Sequence, residues 1–183
     1  MYEELEIIEY PDPRLRKMSK RVETFDENLR TLAERMFVLM REHKGVGLAA
    51  AQVGVNVRLF VMNHSGKPED DRVYVNPVLL DATGEEEGEE GCLSLPDINT
   101  MVVRAKTLRM EGQDLEGNAV VETETGYRAR IWQHETDHLN GTMIIDRMGP
   151  TAKMTSKKKL KVLEDRYAKE HPAPIASKGR ARR

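Results

Sequence analysis

Gln133-His134-Glu135-Thr136-Asp137-His138 sets two histidines four positions apart, with an acidic residue directly after the first. In an α-helix, residues four apart lie on one face, so His134 and His138 present two imidazoles to a common point. That arrangement suits a shared divalent cation. Glu135, one position from the first imidazole, reaches the neighbourhood of such an ion without ligating it, as a general acid/base must. A helix is expected over residues 127–139, stopped by Asn140-Gly141. Two imidazoles do not complete a site. Downstream, the acidic candidates are Asp146, Glu164, Asp165 and Glu170 and the only histidine is His171, none in a convincing local context. Upstream, Cys92 lies within Glu90-Gly91-Cys92-Leu93-Ser94-Leu95-Pro96. Its thiolate would complete a set of two His and one Cys, with a fourth position left for water.

Outward from that helix, residues 57–62, 72–80, 100–104, 107–113 and 119–125 read as strands. Glu116-Gly117-Asn118 reads as a turn, and residues 84–90 as an acidic, glycine-bearing loop. Asp26 is placed to cap a helix over residues 27–43, in which Leu29, Leu32, Ala33, Met36, Phe37 and Met40 recur at helical spacing as a core face. Residues 5–10 form an extended piece leading into a turn at Pro11-Asp12-Pro13. A further helix is expected over residues 153–169, with Leu160, Leu163 and Tyr167 on one face. Strands with helices before, after and late define an α+β class: antiparallel or mixed strands packed around a central metal-binding helix, with an N-terminal and a C-terminal helix. The expected organisation is one catalytic domain over residues 1–152, a basic amphipathic helix over 153–170 and a disordered basic tail over 171–183.

A chain of 183 residues, 39% hydrophobic, is the size of one domain with a real core. Its formal net charge of −2 argues against whole-surface attraction to nucleic acid or membrane. Positive charge is instead local: residues 153–183 carry eleven Lys/Arg against three Asp/Glu. The single cysteine rules out an internal disulfide and fits a reducing compartment. No apolar run is long enough for a membrane span, and MYEELEIIEY at the start is too acidic for a signal or transit peptide.

Three segments, taken in series, carry a resemblance. Gly45-Val46-Gly47-Leu48-Ala49-Ala50-Ala51-Gln52, Glu90-Gly91-Cys92-Leu93-Ser94 and Gln133-His134-Glu135-Thr136-Asp137-His138-Leu139 resemble, in order and spacing, the three signature motifs of the peptide deformylase family. The likeness runs from about Pro11 to Asp146. It implies a metal-dependent hydrolase that removes the N-formyl group from the initiator methionine of nascent polypeptides and releases formate. It places Cys92, His134 and His138 on one divalent metal per chain, Fe2+ in the cell, with Zn2+, Ni2+ or Co2+ also accepted. Glu135 becomes the acid/base for a metal-bound hydroxide that attacks the formyl carbon. The oxyanion that follows is assigned to the Gln52 side-chain amide and the Leu93 backbone N–H. Gly45 and Gly47 would let backbone approach the substrate closely. The methionine slot would be walled by Val46, Tyr127, Ile131 and the edge of His134. Arg130 would line its mouth with an aliphatic stem and keep its guanidinium in water. Glu90 is expected to support the cysteine loop through an ion pair with Arg104, and Asp137 to orient a ligand histidine or a nearby basic group.

The basic end has two readings: a solvated terminus, or, as the resemblance suggests, docking on ribosomal RNA near the tunnel exit. The chain is expected to act as a monomer without a membrane partner, in bacterial cytoplasm or an organelle. Two rival functions are a zinc endopeptidase, which shares the helical motif, and a non-catalytic metal-binding or ribosome-associated homologue. The intact Glu135 and Gln52 argue against the second rival.

Overall fold

The computed structural model describes residues 2–172, so most of the expected basic tail, residues 173–183, lies outside the described residues. The first helix, α1, spans Glu27–Glu42 and is capped by Asp26, whose side chain accepts from the Leu29 N–H at 3.1 Å. Its buried face is Leu29, Leu32, Ala33, Met36, Leu39 and Met40. Leu39 joins the expected stripe, while Phe37 stands at its margin, partly buried.

Five strands follow: β1 (Gly47–Ala49), β2 (Leu59–Met62), β3 (Arg72–Cys92), β4 (Leu95–Gln113) and β5 (Ala119–Thr125). They form one sheet in the order β1-β2-β3-β4-β5, and every ladder is antiparallel. Of the two expected arrangements, antiparallel or mixed, the sheet is antiparallel. Successive strand residues point to opposite faces, and β2 uses both. Leu59 and Val61 pack with α1, whereas Phe60 and Met62 pack with Ala129, Ile131, Trp132 and Leu139. Those last four belong to the central helix, α2 (Gly126–Leu139), which sits within a residue of its expected bounds.

The structure corrects two strand readings. Residues 84–90 are not a loop: they continue β3, paired in register from Glu85↔Ala105 to Glu90↔Thr100. The two strands expected at 100–104 and 107–113 are one continuous β4. Glutamate and glycine are poor strand formers, but Glu85, Glu87 and Glu89 lie on the solvated face, and Glu90 turns inward to buried cations. Pairing with β4 therefore overrides local preference. The resulting long hairpin carries Cys92 at its tip.

After α2 come a short helix α3 (Ile144–Arg147) and a long helix α4 (Pro150–Glu170). Helix α4 starts earlier than expected because Pro150 suits a first helical position. It buries Leu163 in a third apolar cluster with Leu15, Leu95, Ile98, Met143, Ile144 and Met148. The C-terminal helix is thus docked on the residues just beyond the hairpin tip. Leu163→Ala is expected to destabilise the protein by about 2–5 kcal/mol in denaturant unfolding; an unchanged midpoint would mean that α4 contributes nothing to the fold.

Candidate metal centre

Helix α2 delivers His134 and His138 on one face, and the hairpin tip delivers Cys92 opposite them. The His134 and His138 Nε2 atoms lie 3.3 Å apart, and Cys92 Sγ is 3.3 Å from His138 Nε2. One donor atom from each of the three residues lies within 4.8 Å of the others. Tetrahedral coordination with bonds of about 2.0–2.3 Å requires donor-to-donor edges of about 3.3–3.6 Å, so the set has the dimensions of a single metal site. The two rings differ in their electrostatic surroundings. Burial alone would lower the pKa of His134, but hydrogen bonds with Cys92 and Glu90 outweigh it and raise the value well above that of a free histidine. Burial, and then the charge of His134, drive His138 well below its usual range.

Glu135 is buried beside the donors and its Oε2 has no hydrogen-bond partner. Burial pushes its pKa up to about 7; His134 pulls the value down and Glu90 adds to the rise. β1 runs directly against this carboxylate. A Cβ at Gly47 would overlap Glu135 Oε1 and stand 2.8 Å from its Cδ, so only glycine leaves the carboxylate where it is. Gly45 has a similar reason, since a Cβ there would come within 2.8 Å of Leu93 Cδ1.

Gln52, in the 3₁₀ turn Ala50–Val53 that follows β1, is fixed at both ends. Its Oε1 accepts from the Ala49 N–H at 2.9 Å, which directs the NH2 towards Ser94 Oγ at 3.2 Å and Cys92 Sγ at 3.6 Å. Ser94, which no local sequence pattern marks as functional, thus helps to hold the Gln52 amide beside the centre. Leu93 occupies the hairpin turn between Cys92 and Ser94.

A cavity of about 530 Å3 opens over the centre. Gly45, Val46, Gly47, Gln52, Leu93, Tyr127 and Ile131 all border it, together with Glu90, Cys92, Arg130, His134 and Glu135. Tyr127 is exposed at its edge and Ile131 is buried. Arg130 differs from expectation. Its guanidinium is buried, not in water: it donates to Glu90 Oε1 at 2.8 Å and to the carbonyls of Val102 at 2.8 Å and Glu86 at 2.6 Å. The long hairpin surrounds it with acceptors that no local pattern reveals.

The expected Glu90–Arg104 pair is present as a fork, Nε to Oε1 and Nη2 to Oε2, both at 2.9 Å. Glu90 also meets His134 Nδ1 at 3.0 Å, which leaves Nε2 of that ring for the centre. Asp137 takes the nearby basic group rather than a histidine, accepting from Arg104 Nη1 at 2.6 Å.

Two imidazoles and a cysteine sulfur gathered as one metal site, with a buried carboxylate beside them and a cavity above, are the parts of a metal-dependent hydrolase. The model of the family described as polypeptide deformylase matches residues 4–154. The chain belongs to the peptide deformylase family. It is 45% identical over 152 residues to a peptide deformylase of Thermotoga maritima, covering 82% of this chain and 91% of that one. It is 43% identical to the chloroplastic peptide deformylase 1B of rice, over 89% of this chain but only 62% of the longer plant protein. A crystal structure of the Plasmodium falciparum peptide deformylase superposes with a TM-score of 0.88 at 37% identity, covering 92% of this chain and 100% of that one. The chain is therefore an enzyme of the deformylase class, and the endopeptidase and non-catalytic alternatives fall away.

Burial alone would raise the Glu90 pKa, but the hydrogen bonds from Arg104 and His134 outweigh it and hold the carboxyl well below the usual range. A folded-state value below the free value of 4.5 stabilises the fold above that pH, and the contribution fades as pH falls beneath it. Glu90→Gln should therefore flatten the dependence of unfolding free energy on pH below about 4.5; a slope equal to that of the wild type would contradict the assignment.

Proposed function

We propose that this enzyme hydrolyses the N-formyl amide of formyl-methionyl peptides, releasing formate and a free N-terminal amine. The observation that carries the reading is the convergence of Gln52, Cys92, His134, Glu135 and the methionine-slot candidates on one cavity from three separate segments. A divalent cation held by Cys92, His134 and His138 supplies Lewis acidity, which polarises a carbonyl and acidifies water. Glu135, with its pKa pushed up to about 7, is suited to take a proton near neutral pH and pass it to the departing amine. The Gln52 NH2, aimed by the Ala49 N–H, provides a preset donor for the oxyanion, and the Leu93 N–H is the second. Val46, Ile131 and Tyr127 offer apolar surface to an unbranched thioether side chain. In this reading the cellular ion is Fe2+; Zn2+, Ni2+ and Co2+ suit the same donors. The enzyme would act as a monomer, in bacterial cytoplasm or an organelle.

Formate release from formyl-Met-Ala tests the reading. Activity is expected to vanish with a chelator and to return with metal. Glu135→Ala should keep the ion and lose about 10²–10⁴-fold in rate. Undiminished turnover in that variant would reject the role of Glu135, and no formate from the wild type would reject the activity.

We further propose that α4 docks on ribosomal RNA. Lys153, Lys157 and Lys158 are exposed along it, and such groups bind phosphates in a salt-dependent way. Because Leu163 is part of the core, the test is charge reversal rather than removal of the helix. Replacing these three lysines with glutamate should weaken co-sedimentation with ribosomes at low salt and leave formyl-Met-Ala turnover intact. Unaltered co-sedimentation would exclude docking through this face.

A further inference from the structure

Behind the histidines a line of charges runs on past the immediate partners of the donors. His134 Nδ1 meets Glu90, Arg104 forks Glu90, and the remaining Arg104 nitrogen, Nη1, reaches Asp137 Oδ2 at 2.6 Å. Arg147, the last residue of α3, then closes on Asp137 with two bonds, Nη2 to Oδ1 at 2.5 Å and Nε to Oδ2 at 3.0 Å. Side-chain exposure is 4% at both Glu90 and Arg104, 12% at Asp137 and 46% at Arg147. The network therefore begins at a metal donor and surfaces at Arg147. There it borders a second cavity of about 650 Å3, lined by Gln133 and Thr136 on another face of α2 and by Asn140 just past its end.

We propose that Arg147 is a positioning residue for the metal centre, an inference that rests on the reading of Cys92, His134 and His138 as its ligands. Arg104 occupies one oxygen of Asp137, and the paired bonds from Arg147 keep that carboxylate from rotating towards the cavity. Arg104 thereby holds three charge-assisted contacts in fixed directions, and its fork keeps Glu90 aligned on His134 Nδ1. The His134 ring then points Nε2 at the ion. The geometry asks for arginine: a lysine at 147 could make a single bond but not the paired one. An exposed ion pair serving only the surface would leave metal retention untouched.

The test uses protein loaded with Co2+, whose visible spectrum reports donor geometry and thiolate ligation. One Co2+ per wild-type chain with a thiolate band establishes the centre; a wild type that binds none overturns the metal reading and this proposal with it. Loss of Co2+ to a chelator is then timed in Arg147→Ala, in Arg147→Lys and in Arg109→Ala, the last a surface arginine paired with Asp81 and Glu111. Removing the direct partner of a metal ligand costs about 10–100-fold in affinity; Arg147 acts through Asp137, Arg104 and Glu90, so Arg147→Ala should release Co2+ about two- to fivefold faster, with shifted visible bands. Arg147→Lys should fall between it and the wild type, and Arg109→Ala should match the wild type. Combining Arg147→Ala with Asp137→Asn should add nothing to Asp137→Asn alone, since both act through one carboxylate. Release and spectrum equal to wild type in a folded Arg147→Ala would overturn the proposal.

Discussion

The carboxylate of Glu90 accepts four hydrogen bonds while almost wholly buried: two from Arg104, one from Arg130 and one from His134. An ionised carboxylate removed from water is costly unless its lone pairs are taken up by cationic donors, and here both oxygens are. Those donors come from β4 and α2, whereas Glu90 belongs to β3. One side chain therefore ties the hairpin to the central helix. Cys92 follows Glu90 by two residues on the strand and His134 is its direct partner on the helix, so the same group sets the distance between thiolate and imidazole.

Arg130 and Arg104 contribute to this in different ways. Arg104 joins the hairpin to Asp137 on the helix. Arg130 reaches from the helix into the hairpin and binds a carbonyl from each strand, Glu86 on β3 and Val102 on β4. Gly88 leaves room for it, since a Cβ there would stand 3.0 Å from the guanidinium carbon. An acidic strand edge, a weak element by composition, is made rigid by two buried cations. Around the centre the balance tips the other way. Glu135 Oε2 is buried without a partner, a cost to the fold that fits a group kept for chemistry.

Much of this could be read along the chain. Asp26 announces the start of α1, and Asn140-Gly141 the end of α2. His134 and His138 were recognisable as a pair because helical periodicity alone brings residues four apart together. That Glu90 takes a cationic partner could be anticipated, because a charged residue beside a metal-binding cysteine needs a counterion if it is buried; that the partner is Arg104 follows from the β3–β4 pairing. What could not be read was the hairpin. Residues 84–90 carry the composition of a solvated loop, and only the ladder with β4 makes them a strand. The buried guanidinium of Arg130, the aim of Gln52 and the reach of Arg147 to Asp137 all depend on elements meeting across long stretches of chain.

The sequence by itself determined which atoms are available for chemistry and one local geometry that pairs them, the helical turn between the histidines. Only the tertiary structure decided that the thiol at position 92 meets the imidazole of His138, 46 residues away, at 3.3 Å, and which charges are dry enough to hold it there. The physical reason is that periodicity and capping act over a few residues, where covalent geometry sets direction. The strength of a charge depends on how much water surrounds it, and that is settled only when distant strands and helices close over it.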